Sequence, residues 1–252
     1  MLDQLNREIN LPGIPKRIVS VVPSQTELLF CLGLSEEVVG ITKFCVHPAE
    51  KFKSTTKIGG TKQLNIELIR ELKPDLIIAN KEENERGQIE TLAKEFPVWI
   101  SDITNLDEAL DMIKRVGVVV GKGTKANELA DTISQRFTAF HPAPNGTSTA
   151  YFIWRKPYMV AGKGTFIDDM LQRCGLQNVF DITRYPEITN EMLIGANPEL
   201  VLLSSEPYPF KQKHIDEFRA LLPNAKIQLV DGEMFSWYGS RLLEAPGYFE
   251  GL

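Results

Sequence analysis

No apolar run in this 252-residue chain approaches the about 18–20 residues of a membrane-spanning helix, which excludes direct insertion by a helical segment. Cysteine is scarce. Cys31, Cys45 and Cys174 are odd in number and widely spaced, so there is no disulfide framework and no CxxC site. Cys31 and Cys174 sit in apolar helical contexts and read as small buried hydrophobes. An excess of basic charge is missing too: the net charge is −5, which argues against a dedicated nucleic-acid binder. Neither GxGxxG nor GxxxxGK occurs, so no phosphate loop is expected. No Ser-His-Asp or Cys-His pair can be placed, and no catalytic residue is predicted. The segment Met1–Arg7 has neither a basic n-region nor an apolar h-region. The protein is then periplasmic or lipid-anchored if a leader was trimmed, and cytoplasmic if Met1 is the native start.

What is present is one phrase written twice. Asn65-Ile66-Glu67-Leu68-Ile69 precedes Lys73-Pro74-Asp75 and the apolar run Leu76-Ile77-Ile78-Ala79. Asn190-Glu191-Met192-Leu193-Ile194 precedes Asn197-Pro198-Glu199 and Leu200-Val201-Leu202-Leu203. In each copy a glutamate stands seven residues before the proline. The proline stops a short helix, and the run after it is too short for anything but a buried strand. Such a duplication points to an α/β protein of two Rossmann-like lobes built alike, with parallel sheets.

Along the chain, Arg17–Val22 reads as the first buried strand, broken at Pro23. Ser24-Gln25-Thr26-Glu27 fits a capping box opening the next helix. That joint puts free backbone N–H groups at the carboxyl end of a strand, a ligand position in α/β sheets, and marks Pro23 and Ser24 as ligand candidates. Residues 105–140 carry apolar positions three and four apart, interrupted at Gly121 and Gly123, and read as two helices. The run 141–148 is a loop. The expected division is an N-terminal lobe over 1–103, a helical linker over 104–147 and a C-terminal lobe over 148–252.

In this order and spacing the chain resembles the class III, helical-backbone substrate-binding proteins of ABC importers. The resemblance rests on Arg17–Glu27, Gly59-Gly60, Leu72–Ile77, Ala161–Met170 and Gly239-Ser240-Arg241-Leu242. It implies a monomeric, non-enzymatic protein that holds a cobalamin- or ferric-siderophore-like metal chelate in a cleft between the lobes, with no covalent cofactor. It also implies docking to an ABC permease through one glutamate per lobe, here Glu67 and Glu191. Two equivalent carboxylates suit a two-fold symmetric partner. A cytoplasmic ligand sensor on the same scaffold and a two-lobe nucleotide-sugar enzyme are the competing readings.

If both sheets are parallel, the strand exits converge on that cleft. Aromatics crowd the exits, which suits a broad planar ligand. The ligand candidates there are Phe44, Trp154, Tyr185, Phe235 and Trp237, with His47. Arg155 and Arg241 could grip a ligand carboxylate or phosphate. Glu83 and Glu206 stand on the opposite side. Cys45 and His47, with Glu82 and Glu83 on a nearby exit, form the one arrangement with metal-ligand character, and it lacks a second Cys/His pair.

Overall fold

The computed structural model describes residues 1–142 and 146–252, so the loop expected over 141–148 lies partly outside the described residues. The chain forms two compact units. The first comprises residues 1–103, 107–136 and 237–243; the second comprises 104–106, 137–236 and 244–252.

The first unit contains β1 (Ile18–Ser20), α1 (Pro23–Cys31), β2 (Val38–Ile41), α2 (Ala49–Ser54), β3 (Thr56–Lys57), β4 (Gly59–Gly60), β5 (Gln63–Leu64), α3 (Ile66–Leu72), β6 (Leu76–Asn80), α4 (Arg86–Ala93) and β7 (Val98–Ser101). Its main sheet runs β3-β2-β1-β6-β7. Every pairing in it is parallel. Strands covered on both faces need continuous apolar runs, which is what Leu76–Ala79 supplies; all of β6 is buried. The helices α5 (Leu106–Val119) and α6 (Gly123–Ala139) follow. Met112, Ile113, Val116, Ala126, Ala130 and Ile133 are their buried stripe. Gly117 lets the two helices close together, because a Cβ there would lie 2.1 Å from that of Ala126. Gly121, at φ +70°, turns the chain between them.

The second unit contains β8 (Ser148–Trp154), β9 (Tyr158–Val160), α7 (Phe166–Arg173), β10 (Gln177–Asn178), β11 (Glu187–Ile188), α8 (Asn190–Ala196), β12 (Leu200–Ser204), α9 (Gln212–Leu221), β13 (Lys226–Val230), α10 (Glu233–Ser236) and α11 (Ala245–Phe249). Its sheet runs β11-β9-β8-β12-β13, with β10 also on β8. The pairs β8–β12, β12–β13 and β8–β10 are parallel, whereas β9 joins β8 and β11 joins β9 antiparallel. The exit Arg155–Pro157 is therefore the turn of a hairpin, an edge that a purely parallel expectation leaves out. Phe152, Phe218, Leu193, Val201 and Leu203 lie in its core.

The repeated phrase folds the same way twice. Both α3 and α8 span seven residues. Each is capped by a side-chain oxygen: Asn65 accepts from Leu68 N at 3.1 Å and Thr189 from Met192 N at 3.3 Å. Each ends on a left-handed residue, Lys73 at φ 46° and Asn197 at φ 43°. The strand that follows is central in its sheet, β6 between β1 and β7 and β12 between β8 and β13.

The capping box expected at Ser24 and Glu27 does not form. Pro23 takes the first turn of α1, where its missing N–H costs nothing, and Val22 becomes the N-cap. Ser24 then lies inside the helix, its Oγ buried and without a partner among the described residues. Glu27 turns instead to Arg241.

Candidate functional site

In the first unit a buried polar network supports the strand exits. Asn80 and Ser101 end β6 and β7, and Asn80 Nδ2 donates to Ser101 Oγ at 3.0 Å. Gln25 of α1 donates to the same hydroxyl. Asn84 Nδ2 donates to the carbonyls of Val21 at 3.0 Å and Thr61 at 3.1 Å. Asn80 Oδ1 accepts the backbone N–H groups of Glu82 and Glu83. A loop that would otherwise leave buried amides unmet is thus fixed from below.

Onto this base folds the segment 237–243. Gly239 lies so close to the first turn of α1 that a Cβ would stand 2.7 Å from the Ser24 carbonyl oxygen. Arg241 Nη2 meets Glu27 Oε1 at 2.6 Å, and its guanidinium lies 5.4 Å from the Trp237 ring centre. His47 stands edge-on to Trp237 at 5.5 Å. Tyr238 donates its hydroxyl hydrogen to Glu83. Seven of the expected residues (Pro23, Ser24, Phe44, His47, Glu83, Trp237 and Arg241) thus lie in this unit, six of them in this cluster or the helix turn under it; Phe44 sits on the neighbouring loop, 51% exposed.

In the second unit, Trp154 and Arg155 lead into the β8–β9 turn. Trp154 is 39% exposed, its indole N–H donating to the Lys156 carbonyl at 3.2 Å and its ring 5.6 Å from that of Tyr208. Arg155 Nε and Nη2 donate to Glu217 Oε2 at 3.0 and 2.6 Å. Tyr158 donates to the other Glu217 oxygen. Burial works to raise the Glu217 pKa, but Arg155 and Tyr158 outweigh it and hold the carboxyl below its ordinary value. Glu206 accepts from Ser236 Oγ at 2.7 Å. Tyr185 is half-buried in the loop before β11.

Two rings are covered in this structure. Phe235 is fully buried, packed on Tyr151 at 5.1 Å and Phe249 at 4.9 Å. Trp237 is 5% exposed. Neither burial could be seen from their place in a polar loop.

Glu67 and Glu191 occupy the same position, second in α3 and in α8, and both are exposed. Their surroundings differ. Arg70 pairs with Glu67 and also with Glu95 at 2.6 Å. A hydrogen bond with Thr189 lowers the Glu191 pKa.

The family profile described as periplasmic binding protein matches residues 18–221. The chain belongs to the periplasmic binding protein family. Among curated relatives, it is 24% identical to the vitamin B12-binding protein of Pectobacterium carotovorum, over 92% of this chain and 86% of that protein. It is 25% identical to an uncharacterized ABC transporter substrate-binding lipoprotein of Bacillus subtilis, over 96% of this chain and 81% of that protein. Among solved structures, a periplasmic heme-binding protein from Pseudomonas aeruginosa superposes with a TM-score of 0.82 at 21% identity, covering 94% of this chain and 92% of that one. This binding protein is of the class III, helical-backbone type that delivers substrate to an ABC importer, and its general partner is the permease of such an importer. It is a transport-associated binding protein rather than an enzyme.

Among its described residues no group of three or more His, Cys, Asp and Glu side chains could hold a metal ion. Cys45 lies within 3.1 Å of Thr26 Oγ1 and 3.2 Å of Thr42 Oγ1, and burial pushes its thiol pKa up. The Cys45–His47 pair therefore finds no third ligand among the described residues. Glu217 is the supporting group that the sequence did not reveal, and Glu27, expected in a cap, takes Arg241 instead. Arg155 and Glu217 are 62 residues apart, and no local pattern links them.

Proposed function

We propose that this binding protein captures a metal chelate of the corrinoid, haem or ferric-siderophore kind and hands it unchanged to its permease. The observation that carries the ligand class is the exposed aromatic next to a half-buried guanidinium at the turn after β8, Trp154 and Arg155, together with the exposed ring of Phe44 on a loop of the first unit. Planar chelates with acidic or amide rims need both a flat apolar cover and fixed donors. The names of the relatives support it, since vitamin B12 and haem are both broad metal macrocycles. Pro23, Ser24, His47, Glu83, Tyr185 and Glu206 complete the proposed ligand set, with Phe235 as a buried support.

Glu67 and Glu191 are the proposed docking carboxylates. Their identical place on two matching helices supports that role, because a permease with two-fold symmetry offers the same basic site twice. Absorption titration with cyanocobalamin, haemin and a ferric siderophore tests the ligand class. A saturable spectral change with one of them supports the reading; flat spectra with all three overturn it.

A further inference from the structure

His214 lies in the first turn of α9, three residues before Glu217, and is 2% exposed. Its Nδ1 accepts the Lys211 backbone N–H at 2.8 Å and so caps the helix. The ring proton then belongs on Nε2, which faces the Tyr208 hydroxyl at 3.3 Å. The rings of Tyr208 and Phe210 each lie 5.5 Å from the imidazole.

Two lines of contact leave this ring. Through Tyr208 it reaches Trp154, whose ring packs on the tyrosine. Through α9 it reaches Glu217, which grips Arg155 and Tyr158. One buried imidazole therefore stands behind both members of the Trp154–Arg155 pair.

We propose that neutral His214 is a positioning residue that holds Trp154 and Arg155 in place and lets both move when it takes up a proton. The functional meaning of this rests on reading Trp154 and Arg155 as ligand contacts. Protonation places a hydrogen on Nδ1, where the Lys211 N–H already points. Two donors then face each other, and the cap is lost. Burial comes first among the influences that lower the pKa of this histidine, followed by the positive charges of Arg155, Lys213 and Lys211; Glu217 acts in the opposite sense. Because the fold favours the neutral ring, its stabilising contribution is present above the unfolded pKa and is lost as pH falls through the lower folded one. Acid therefore loosens the Trp154–Arg155 pair, and neutral conditions hold it.

The test follows the ligand-free 252-residue chain by NMR from about pH 8 to about pH 4, reaching below the ordinary histidine window because the fold favours the neutral ring. It reads the His214 ring, the Trp154 indole N–H and the Arg155 Nε–H. The expected result is one shared midpoint for all three signals. His214→Asn keeps an acceptor oxygen near the Nδ1 position but cannot titrate, and it should leave the Trp154 and Arg155 signals flat across the range. His214→Gln serves as a second non-titrating variant. Separate midpoints in the wild type, or shifts that persist in both variants, would overturn the proposal. No ligand enters this readout, so failure to bind cyanocobalamin or haemin would count against the proposed ligand class and leave the positioning role intact.

Discussion

Tyr238 donates its hydroxyl hydrogen to the carboxylate of Glu83, 155 residues earlier in the chain. The bond ties the late segment 237–243 to the loop after β6, within the first compact unit. Tyr238→Phe keeps the ring and removes the donor. Urea unfolding should show a loss of about 1.5–3 kcal/mol, the range for a hydrogen bond to a charged group. An unchanged midpoint would mean the bond is not made in solution.

Arg241 and Glu27 fasten the same segment to α1, with side chains only 13% and 19% exposed. Removing one partner takes a hydrogen bond between charged groups out of a partly dry site. Arg241→Ala should cost about 1.5–3 kcal/mol, the range for hydrogen bonds to charged groups. In Glu27→Gln the arginine variant should cost less, because the bond then lost is no longer one between two charges. Denaturant curves on the four members of this cycle check the coupling, and purely additive costs would deny it.

Trp154 and Trp237 should separate sharply. Trp154 is 39% exposed, so Trp154→Ala should cost only about 1 kcal/mol and act mainly on ligand binding. Trp237 is covered, and Trp237→Ala should cost about 3–5 kcal/mol. From sequence both read alike, as ligand-facing aromatics at strand exits. Thermal melts of the pair distinguish the two, and equal melting points would return Trp237 to the surface.

Much of this was legible beforehand. The repeat at Glu67 and Glu191 encodes helix, proline stop and buried strand in local signals, and both copies fold that way. The helices over 106–119 and 123–139 follow from apolar spacing and the glycine break. Partnerships across long separations were hidden. Glu27 carries the signature of a capping box, but Pro23 shifts the helix start and an arginine more than 200 residues away claims the carboxylate. Phe235 and Trp237 sit in a loop rich in polar residues, and only tertiary packing buries them. The hairpin at Arg155 was missed because β8 alone reads as one more parallel strand.

Acid should weaken the second unit through Glu217. Its folded pKa lies below the unfolded one, so its contribution is present above the unfolded value and lost as pH falls through the folded value. Arg155→Ala removes the main cause of that depression. Unfolding curves for the variant should therefore depend less on pH in the acid range than those of the wild type, and parallel profiles would contradict the assignment.

Docking should be separable from capture. Glu67→Ala combined with Glu191→Ala alters two exposed helix positions and should leave ligand affinity unchanged. With the cognate permease in proteoliposomes, the same variant should fail to stimulate transport. Stimulation at the wild-type level would make both glutamates ordinary solvated carboxylates.

Native mass spectrometry of the protein mixed with cyanocobalamin, haemin and a ferric siderophore, followed by release and weighing of the ligand, tests capture and the absence of chemistry together. The account predicts a one-to-one complex with one of these chelates and recovery of that ligand at its starting mass. No complex with any of them, or a ligand returned chemically altered, would contradict it.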